Sequence, residues 1–587
     1  MIARTRSLVA PAYALVLALA VTAPLLGPGY LLLRDAVSTP RSYLTDAALG
    51  LTQAAPRALP QDVAVALASA VLDGGVVVKA LLILGIWLAG WGAARLAAAM
   101  LPDAGVSGQC VAATVAIWNP YVAERLLQGH WSLLVGYGAL PWVAAAVLSL
   151  RSAPNLHSGS ESASEGLPEC TFGGVGAVLF WMALAGLTPT GLMLAATVAL
   201  ACAVAPGPGR SRRFCAAVSL AAATTAALPW LVASAVADGW SSGADQEAAV
   251  AAFAARAEPG LGTLGSLAGL AGIWNADAVP ASRASLFAMV ATLTLLAVVA
   301  VGVPVLIRRR AGVPLLVLAV AAVTVPALMA TGPGPAAVEA VIEAIPGLGV
   351  VRDGQKWVAL AMPGYALAGA AAVVALRPRV PAVAIAVVCC TAVIATLPDL
   401  AWGVGGRVRP VQYPPAWREA AAVIDAEPAP VAVLPVDSMR HFGWAGPAPV
   451  LDPLPRWLRA EVLTTGDLSI GGRTVPGEGA RAREVQEMLR AGADQDRLAA
   501  AGVGWVVVEG SGANLGLPVA FRSAELTVYR VGGQSPSSPH RAVVLAAHGV
   551  WLAQLIIGLG AMTLRRRRSR GTYGRDEHAQ WPERSNE

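Results

Sequence analysis

Residues 284–307 read ASLFAMVATLTLLAVVAVGVPVLI, and RRR follows at 308–310. The hydrocarbon core of a bilayer is about 30 Å thick, so a helix needs roughly 20 apolar residues to cross it. This run meets that length with no charged side chain, and the arginines behind it mark its cytoplasmic end. Similar runs lie near 8–27, 77–98, 105–118, 132–150, 172–188, 189–206, 214–236, 312–330, 357–376, 380–399 and 541–563. The sequence therefore predicts an all-α polytopic membrane bundle of about twelve transmembrane helices.

Composition agrees. Of 587 residues, 56% are apolar and only 13% charged, against about 25% charged in a soluble domain. Lys79 and Lys356 are the only lysines, so nearly all positive charge is arginine, and the Ala, Gly and Val bias is that of a GC-rich genome. Cys110, Cys170, Cys202, Cys215, Cys389 and Cys390 lie in apolar runs or in one predicted cytoplasmic loop, which argues against a disulfide framework or a cysteine metal site. The net charge of +6 sits mostly at helix ends and reads as topology, not as nucleic-acid binding.

The arginines set the expected sidedness. Arg4 and Arg6 precede the first run, and Arg210, Arg212 and Arg213 follow the sixth. Arg308 to Arg310 follow the eighth, Arg377 and Arg379 the tenth, and Arg565 to Arg568 the twelfth. An alternating path starting inside puts every cluster in the cytoplasm, which favours an even count. The expected location is a multi-pass plasma-membrane protein with both termini cytoplasmic. Val21-Thr22-Ala23 resembles a signal cleavage site, but the long apolar run reads as a retained anchor.

This path gives a transmembrane domain over 1–399, about eleven helices with outer loops at 28–76, 119–131, 237–283 and 331–356. An extracytoplasmic domain follows at 400–540, then a final helix at 541–563 and a basic, disordered cytoplasmic tail at 564–587. Residues 63–71 are amphipathic and suit the interface. In the outer domain, 417–424 and 481–500 have helical composition, and 431–435, 505–509 and 526–530 read as strands. A small α/β domain is expected. Gly471-Gly472 reads as a turn, not as a phosphate loop.

Polar residues gather at the outer ends of the runs. Arg34-Asp35 follows the first, with Asp46 further on. A carboxylate there can act as general base or hold a divalent metal against a phosphate, or Arg34 and Asp35 simply cap the helix. Residues 118–131 read WNPYVAERLLQGHW, packing Asn119, Tyr121, Glu124, Arg125, Gln128 and His130 between two runs. On one helix Glu124 and Gln128 share a face, as do Tyr121 and Arg125. Arg125 can grip a phosphate with two parallel bonds, and His130 can titrate near neutrality. The plainer reading is an interfacial loop held by an aromatic belt. Residues 351–357 read VRDGQKW, placing Arg352, Asp353 and Lys356 before a late run. Arg352 and Lys356 can bind an anionic headgroup together or snorkel at the interface. Trp274-Asn275-Ala-Asp277, with Asp245 and Glu247, is a weaker signal. HExxH, Walker, GxSxG and Cys/His metal patterns are absent, which argues against an ATP-driven pump or a serine or zinc protease. Neither a mid-span proton relay nor paired broken helices are legible, which weakens ion-coupled transport.

These features resemble the GT-C superfamily, polytopic glycosyltransferases that use polyprenyl-phosphate sugars. The resemblance is carried by Asn119-Pro120…Arg125…Gly129-His130, by Arg352-Asp353-Gly354-Gln355-Lys356 and by the outer α/β domain. By architecture it covers nearly the whole chain, by motif only about 25 residues. Actinobacterial members build cell-envelope glycans. The resemblance implies that Asp35 is the catalytic base or a metal ligand, although the family's paired acidic motif is replaced here by Arg34-Asp35-Ala36. It implies that Asn119, Tyr121, Glu124, Arg125, His130, Arg352, Asp353 and Lys356 bind substrate. Implied partners are the lipid bilayer, a polyprenyl-phosphate-linked sugar and an envelope glycan acceptor, with no nucleic acid. The resemblance implies no definite cofactor and leaves room for a divalent metal at Asp35. The outer domain would orient the acceptor, with Trp417, Trp444 and Trp457 as stacking surfaces and Trp505 as core. The alternatives are a flippase for lipid-linked glycans or a non-catalytic protein of envelope assembly.

Overall fold

The computed structural model describes residues 2–53, 58–152, 174–236, 250–344, 348–436, 438–470, 473–475, 477, 479–510, 514–535 and 537–576. Asp245, Glu247, Cys170, Gly471 and Gly472 lie outside them, as do 577–587. Among the described residues, eight helices are long and apolar enough to cross a membrane: 8–26, 74–100, 131–152, 212–236, 287–308, 310–329, 354–376 and 541–564. A bent pair, Ala382–Ala395 and Pro398–Gly406, makes nine if it is one span; the two halves meet at 75°.

The chain is thus a helical membrane protein, but the expected twelve spans are too many. The run 105–118 is a 13-residue helix, Gly105–Ile117, roughly 20 Å long and short of the ~30 Å core. The runs 172–188 and 189–206 are the helices Val175–Ala185 and Pro189–Ala203. Between them Thr188 caps the second helix by accepting from the Gly191 amide at 3.1 Å. A Cβ on Gly191 would lie 2.4 Å from the Ala185 carbonyl oxygen, and Gly136 packs on Gly191. The hairpin therefore turns inside the bundle, against the helix Trp131–Ser152.

The arginines nonetheless gather at one end. Asp103 pairs with Arg309 at 2.6 Å, and its carbonyl accepts from Arg377 at 2.7 Å. The helices Gly74–Met100 and Trp131–Ser152 run parallel, with Gly85 on Val135 and Gly92 on Trp142. That places Arg151 at the same end, where its Nε donates to Ala205 at 2.8 Å beside Arg210. A hairpin that enters and leaves at one end preserves the alternation just as two full spans would. The last helix runs on to Asp576, through the arginine run and past the expected start of the tail.

The domain over 400–540 is α/β. Its sheet contains β3 (Val431–Leu434), β6 (Val462–Leu463), β7 (Trp505–Glu509), β8 (Val519–Arg522) and β9 (Leu526–Arg530), in the order β8-β9-β7-β3-β6. Strand β3 is parallel to β6 and β7, and β9 is antiparallel to β7 and β8. Side chains alternate across a strand. Val431, Val433, Trp505 and Val507 face the helix Pro415–Ala426 through Trp417, Ala421 and Ile424. Ala432, Val506 and Val508 face Val485, Leu489 and Leu498. Burial on both faces explains the continuous apolar runs. The helical stretch 481–500 is two helices, Ala480–Arg490 and Gln495–Ala500, separated at Gly492, whose φ is +71°.

This domain joins the membrane bundle through backbone pairing. After the first helix, β1 (Leu32–Leu33) and β2 (Ala36–Val37) form a hairpin whose turn is Arg34-Asp35. Tyr30 exchanges backbone bonds with Val411 at 2.8 and 2.9 Å. Two more short strands, β4 (Met439–Arg440) and β5 (Val450–Leu451), pair with each other. Arg34 bridges to β5.

Candidate functional site

The segment 118–131 carries a buried helix, Pro120–Gln128, between the 13-residue helix Gly105–Ile117 and the long helix Trp131–Ser152, and its ends are fixed by sequence. Asn119 caps the helix Pro120–Gln128 by accepting from the Val122 amide at 3.2 Å, with Pro120 in the first turn. Its Nδ2 donates to the carbonyls of Val115 at 2.9 Å and Ala116 at 3.1 Å, and to the Tyr137 hydroxyl at 3.0 Å. Asn119 therefore ties off the end of one helix and the start of the next. Gly129 stops the helix with φ +84°. A Cβ there would lie 2.4 Å from both the Ala36 nitrogen and the Leu33 oxygen, so only glycine lets the segment sit against the β1–β2 hairpin.

That contact brings Asp35 to His130. Asp35 Oδ2 lies 2.9 Å from His130 Nε2 and accepts from Gln128 Nε2 at 3.0 Å. His130 Nδ1 lies 3.0 Å from Arg125 Nη1. A guanidinium only donates, so Nδ1 accepts and the imidazole carries its proton on Nε2, facing Asp35. Arg125 also donates to both Asp353 oxygens, at 3.1 and 3.3 Å, and to Gln355 Oε1. Lys356 Nζ lies 3.5 Å from Asp353 Oδ2. The result is a chain from Asp35 through His130 and Arg125 to Asp353 and Lys356.

A second branch holds Glu124. It accepts from Gln355 Nε2 at 2.9 Å, the Gly272 amide at 3.2 Å and the Ile273 amide at 3.1 Å. Gln128 Oε1 accepts from Asn275 at 2.8 Å. Glu258 and Arg283, both buried, form an ion pair close enough for the Glu258 charge to act on Glu124.

The charges follow from this packing. Burial by itself pushes the Asp35 carboxyl up. The His130 and Gln128 bonds and the Lys356 ammonium outweigh it, and Asp35 stays below the usual carboxylate range. Burial, with Arg125 and Lys356, outweighs the pull of Asp35 and keeps His130 below the ordinary imidazole value. For Asp353 burial again raises, but Arg125 and Lys356 hold it down to about 2. Burial and the Glu258 carboxylate push Glu124 up to about 8 against the pull of Arg125, Arg283 and the Gly272 amide.

The structure gathers the sequence candidates but divides their roles. Asp35 is 35% exposed, Lys356 22% and His130 18%. These three can meet a substrate. Arg125 has no exposed side-chain surface, so it orients His130 and does not grip a phosphate directly. Asn119, Tyr121, Glu124 and Asp353 are likewise buried; Tyr121 bonds the Lys356 carbonyl at 3.3 Å and packs under Arg125. Arg352, half-buried, stacks over the Phe253 ring at 4.7 Å. Asp46 is elsewhere too, paired with Arg541. In the α/β domain Trp417 and Trp457 are core, as Trp505 is, and of these four only Trp444 is partly open. Gln128 and Asn275, named in the sequence motifs without a binding role, belong to this network, as does Gln355 within 351–357; the 272–273 amides are backbone groups with no side-chain signal in the sequence.

The site is recessed. Val135 is level with Gly85, so Trp131, four residues earlier, is level with Leu81, seven residues or roughly 10 Å in from Gly74. The helix Gly74–Met100 has 27 residues, about 40 Å, some 10 Å longer than the hydrocarbon core. The cluster therefore lies roughly 10 Å in from the start of that helix, at the end opposite the arginines.

A divalent metal does not fit this donor set. Among the described residues no group of three or more His, Cys, Asp or Glu side chains is placed to hold one. Asp35 and His130 are bonded to each other, and Asp353 is turned to Arg125. Fold and site together define a helical membrane protein with an α/β domain docked over a recessed polar cluster. The chain matches no protein-family model, no curated protein and no solved structure.

Proposed function

We propose that the chain is a glycosyltransferase that passes a sugar from a polyprenyl-phosphate donor to a hydroxyl of a cell-envelope glycan on the outer face. The observation that carries this reading is the Asp35 carboxylate, one third exposed and kept ionised by His130 and Gln128, in the same recessed cluster as the Lys356 ammonium. The donor's tail would lie in the bilayer and its phosphate at the cluster. As the acceptor oxygen bonds to the anomeric carbon, its proton passes to Asp35. The bond from that carbon to the phosphate oxygen breaks, the electron pair leaves with the polyprenyl phosphate, and Lys356 offsets the developing charge. Arg125 and Asp353 hold His130 and Lys356 in place. In this reading the arginine end is cytoplasmic, as are both termini, and the outer domain is extracytoplasmic.

Asp35→Asn tests it. A deletion strain complemented with this variant should show the same envelope-glycan defect as the deletion, with the protein made and inserted normally. Wild-type glycans in that strain would remove Asp35 from the chemistry.

A further inference from the structure

The outer domain buries a second charged cluster, at the carboxyl ends of the parallel strands β3 and β7. Arg440, on β4, donates through Nε to Glu509 Oε2 at the end of β7 and lies 3.5 Å from Asp452 Oδ2, just past β5. Glu509 Oε2 and Asp452 Oδ2 thus face neighbouring nitrogens, Nε and Nη2, of one guanidinium. Arg440 is 5% exposed, Asp452 6% and Glu509 7%. Two buried carboxylates on one guanidinium leave an excess negative charge, which a single shared proton removes. The other polar groups facing them are the Leu454 amide on Asp452 Oδ1 at 2.8 Å and the Tyr413 phenol, and the Asp452 amide donates to the Ser438 carbonyl at 3.1 Å. Arg440 Nη1, Glu509 Oε1 and Ser438 Oγ are buried with no partner among the described residues.

This cluster is wired to Asp35 by backbone. Strand β4 pairs with β5, Arg440 opposite Val450. The Arg34 amide donates to Pro449 at 3.0 Å, and the Leu451 amide donates back to Arg34 at 2.9 Å. Arg34, at φ +47°, is the residue before Asp35, and its guanidinium holds the Leu127 and Asp277 carbonyls at 2.7 and 2.9 Å. The turn thus lies between β5 on one side and the site helix on the other.

We infer that Arg440, Asp452 and Glu509 are positioning residues for Asp35: one proton shared by the two carboxylates holds β5 against the Arg34-Asp35 turn, and its loss releases that turn. The inference rests on the proposed function only in calling Asp35 catalytic. Burial raises both carboxyls, Glu509 well above the usual range, so the folded domain keeps this proton as pH rises from the ordinary carboxylate range and gives it up only above that.

The test is hydrogen–deuterium exchange on the full chain in nanodiscs from pH about 5.5 to 9, corrected for the intrinsic exchange rate. In wild type, protection of the peptides covering 30–38 and 449–452 should fall about tenfold as pH rises, the factor that one pK unit represents. Glu509→Gln keeps an acceptor for Arg440 and a donor for Asp452 and should make protection independent of pH. Asp452→Asn should do the same and serves if the first variant does not fold. A flat wild-type profile, or an undiminished fall in the variants, overturns the inference. The predicted exchange pattern in a protein whose Asp35→Asn variant leaves envelope glycans intact would sink the glycosyltransferase reading and keep this one.

Discussion

Arg125 and Asp353, 228 positions apart in the chain, form a two-point ion pair at 3.1 and 3.3 Å with the guanidinium wholly out of solvent. It joins the buried helix 120–128 to the segment that opens the late span, and Lys356 and His130 both lean on it. Removing one partner leaves the other charge buried and unpaired. Arg125→Ala should therefore destabilise the protein by about 3 to 5 kcal/mol, read as a lower unfolding temperature in detergent. Arg125→Lys should recover only part, because an ammonium cannot make both bonds. The double variant Arg125→Met with Asp353→Leu should lose less than the sum of the single changes. Simple additivity would show that the two side chains do not interact.

The same pair gives the protein an acid limit. An ordinary aspartate titrates near 4, whereas Asp353 lies at about 2 in the fold. The folded value is depressed, so its stabilisation is present above about 4 and is lost as pH falls through about 2. The amount is on the order of 2 to 3 kcal/mol. Thermal unfolding followed from pH about 5 down to 2.5 should show this loss in wild type and a shallower slope in Asp353→Asn. Equal slopes would mean that Asp353 does not carry it.

Gly129 should tolerate no side chain. At φ +84°, with the Ala36 nitrogen and the Leu33 oxygen 2.4 Å from any Cβ, alanine is strained by its backbone and clashes with the hairpin. Gly129→Ala should cost at least about 1 kcal/mol of stability. It should also separate His130 from Asp35, so that envelope glycans fall to the Asp35→Asn level even where folded protein persists. Unchanged stability and glycans would mean that the hairpin and the helix end are not packed this closely.

The sequence carried the membrane bundle and the cast of the site, and lost its wiring. Asp35, Arg125, His130, Asp353 and Lys356 were legible because ionisable side chains are costly in so apolar a chain. That both Nη atoms of Arg125 are taken up by His130, Asp353 and Gln355 was not legible, because Asp353 and Gln355 come from a loop brought over by tertiary packing. Arg125 therefore read as a phosphate grip when its place is behind His130. The count of spans failed for a related reason. The stretches 105–118, 172–188 and 189–206 are as apolar as true spans because they are buried among helices, and hydropathy does not separate a protein neighbour from a lipid one. The Arg440–Asp452–Glu509 cluster left no trace, since its members come from three strands with no local spacing to link them.

The re-entrant hairpin makes a last prediction that twelve full spans would not. Two complete spans at 172–188 and 189–206 would expose Thr188 on the outer face. In the structure Leu187 is 4% exposed and Thr188 9%, packed inside the bundle. In a background with the native cysteines replaced by alanine, Thr188→Cys should resist a membrane-impermeant maleimide from either side. Gly332→Cys, at an open turn with nothing near its Cβ position, should label in intact cells if the site end faces outward. Ser211→Cys, on an exposed turn at the arginine end, should label only after permeabilisation. Labelling of Thr188→Cys in intact cells would restore two full spans. Labelling of Ser211→Cys there, with Gly332→Cys silent, would turn the protein over and put Asp35 on the wrong side of the membrane for an outer-face glycan.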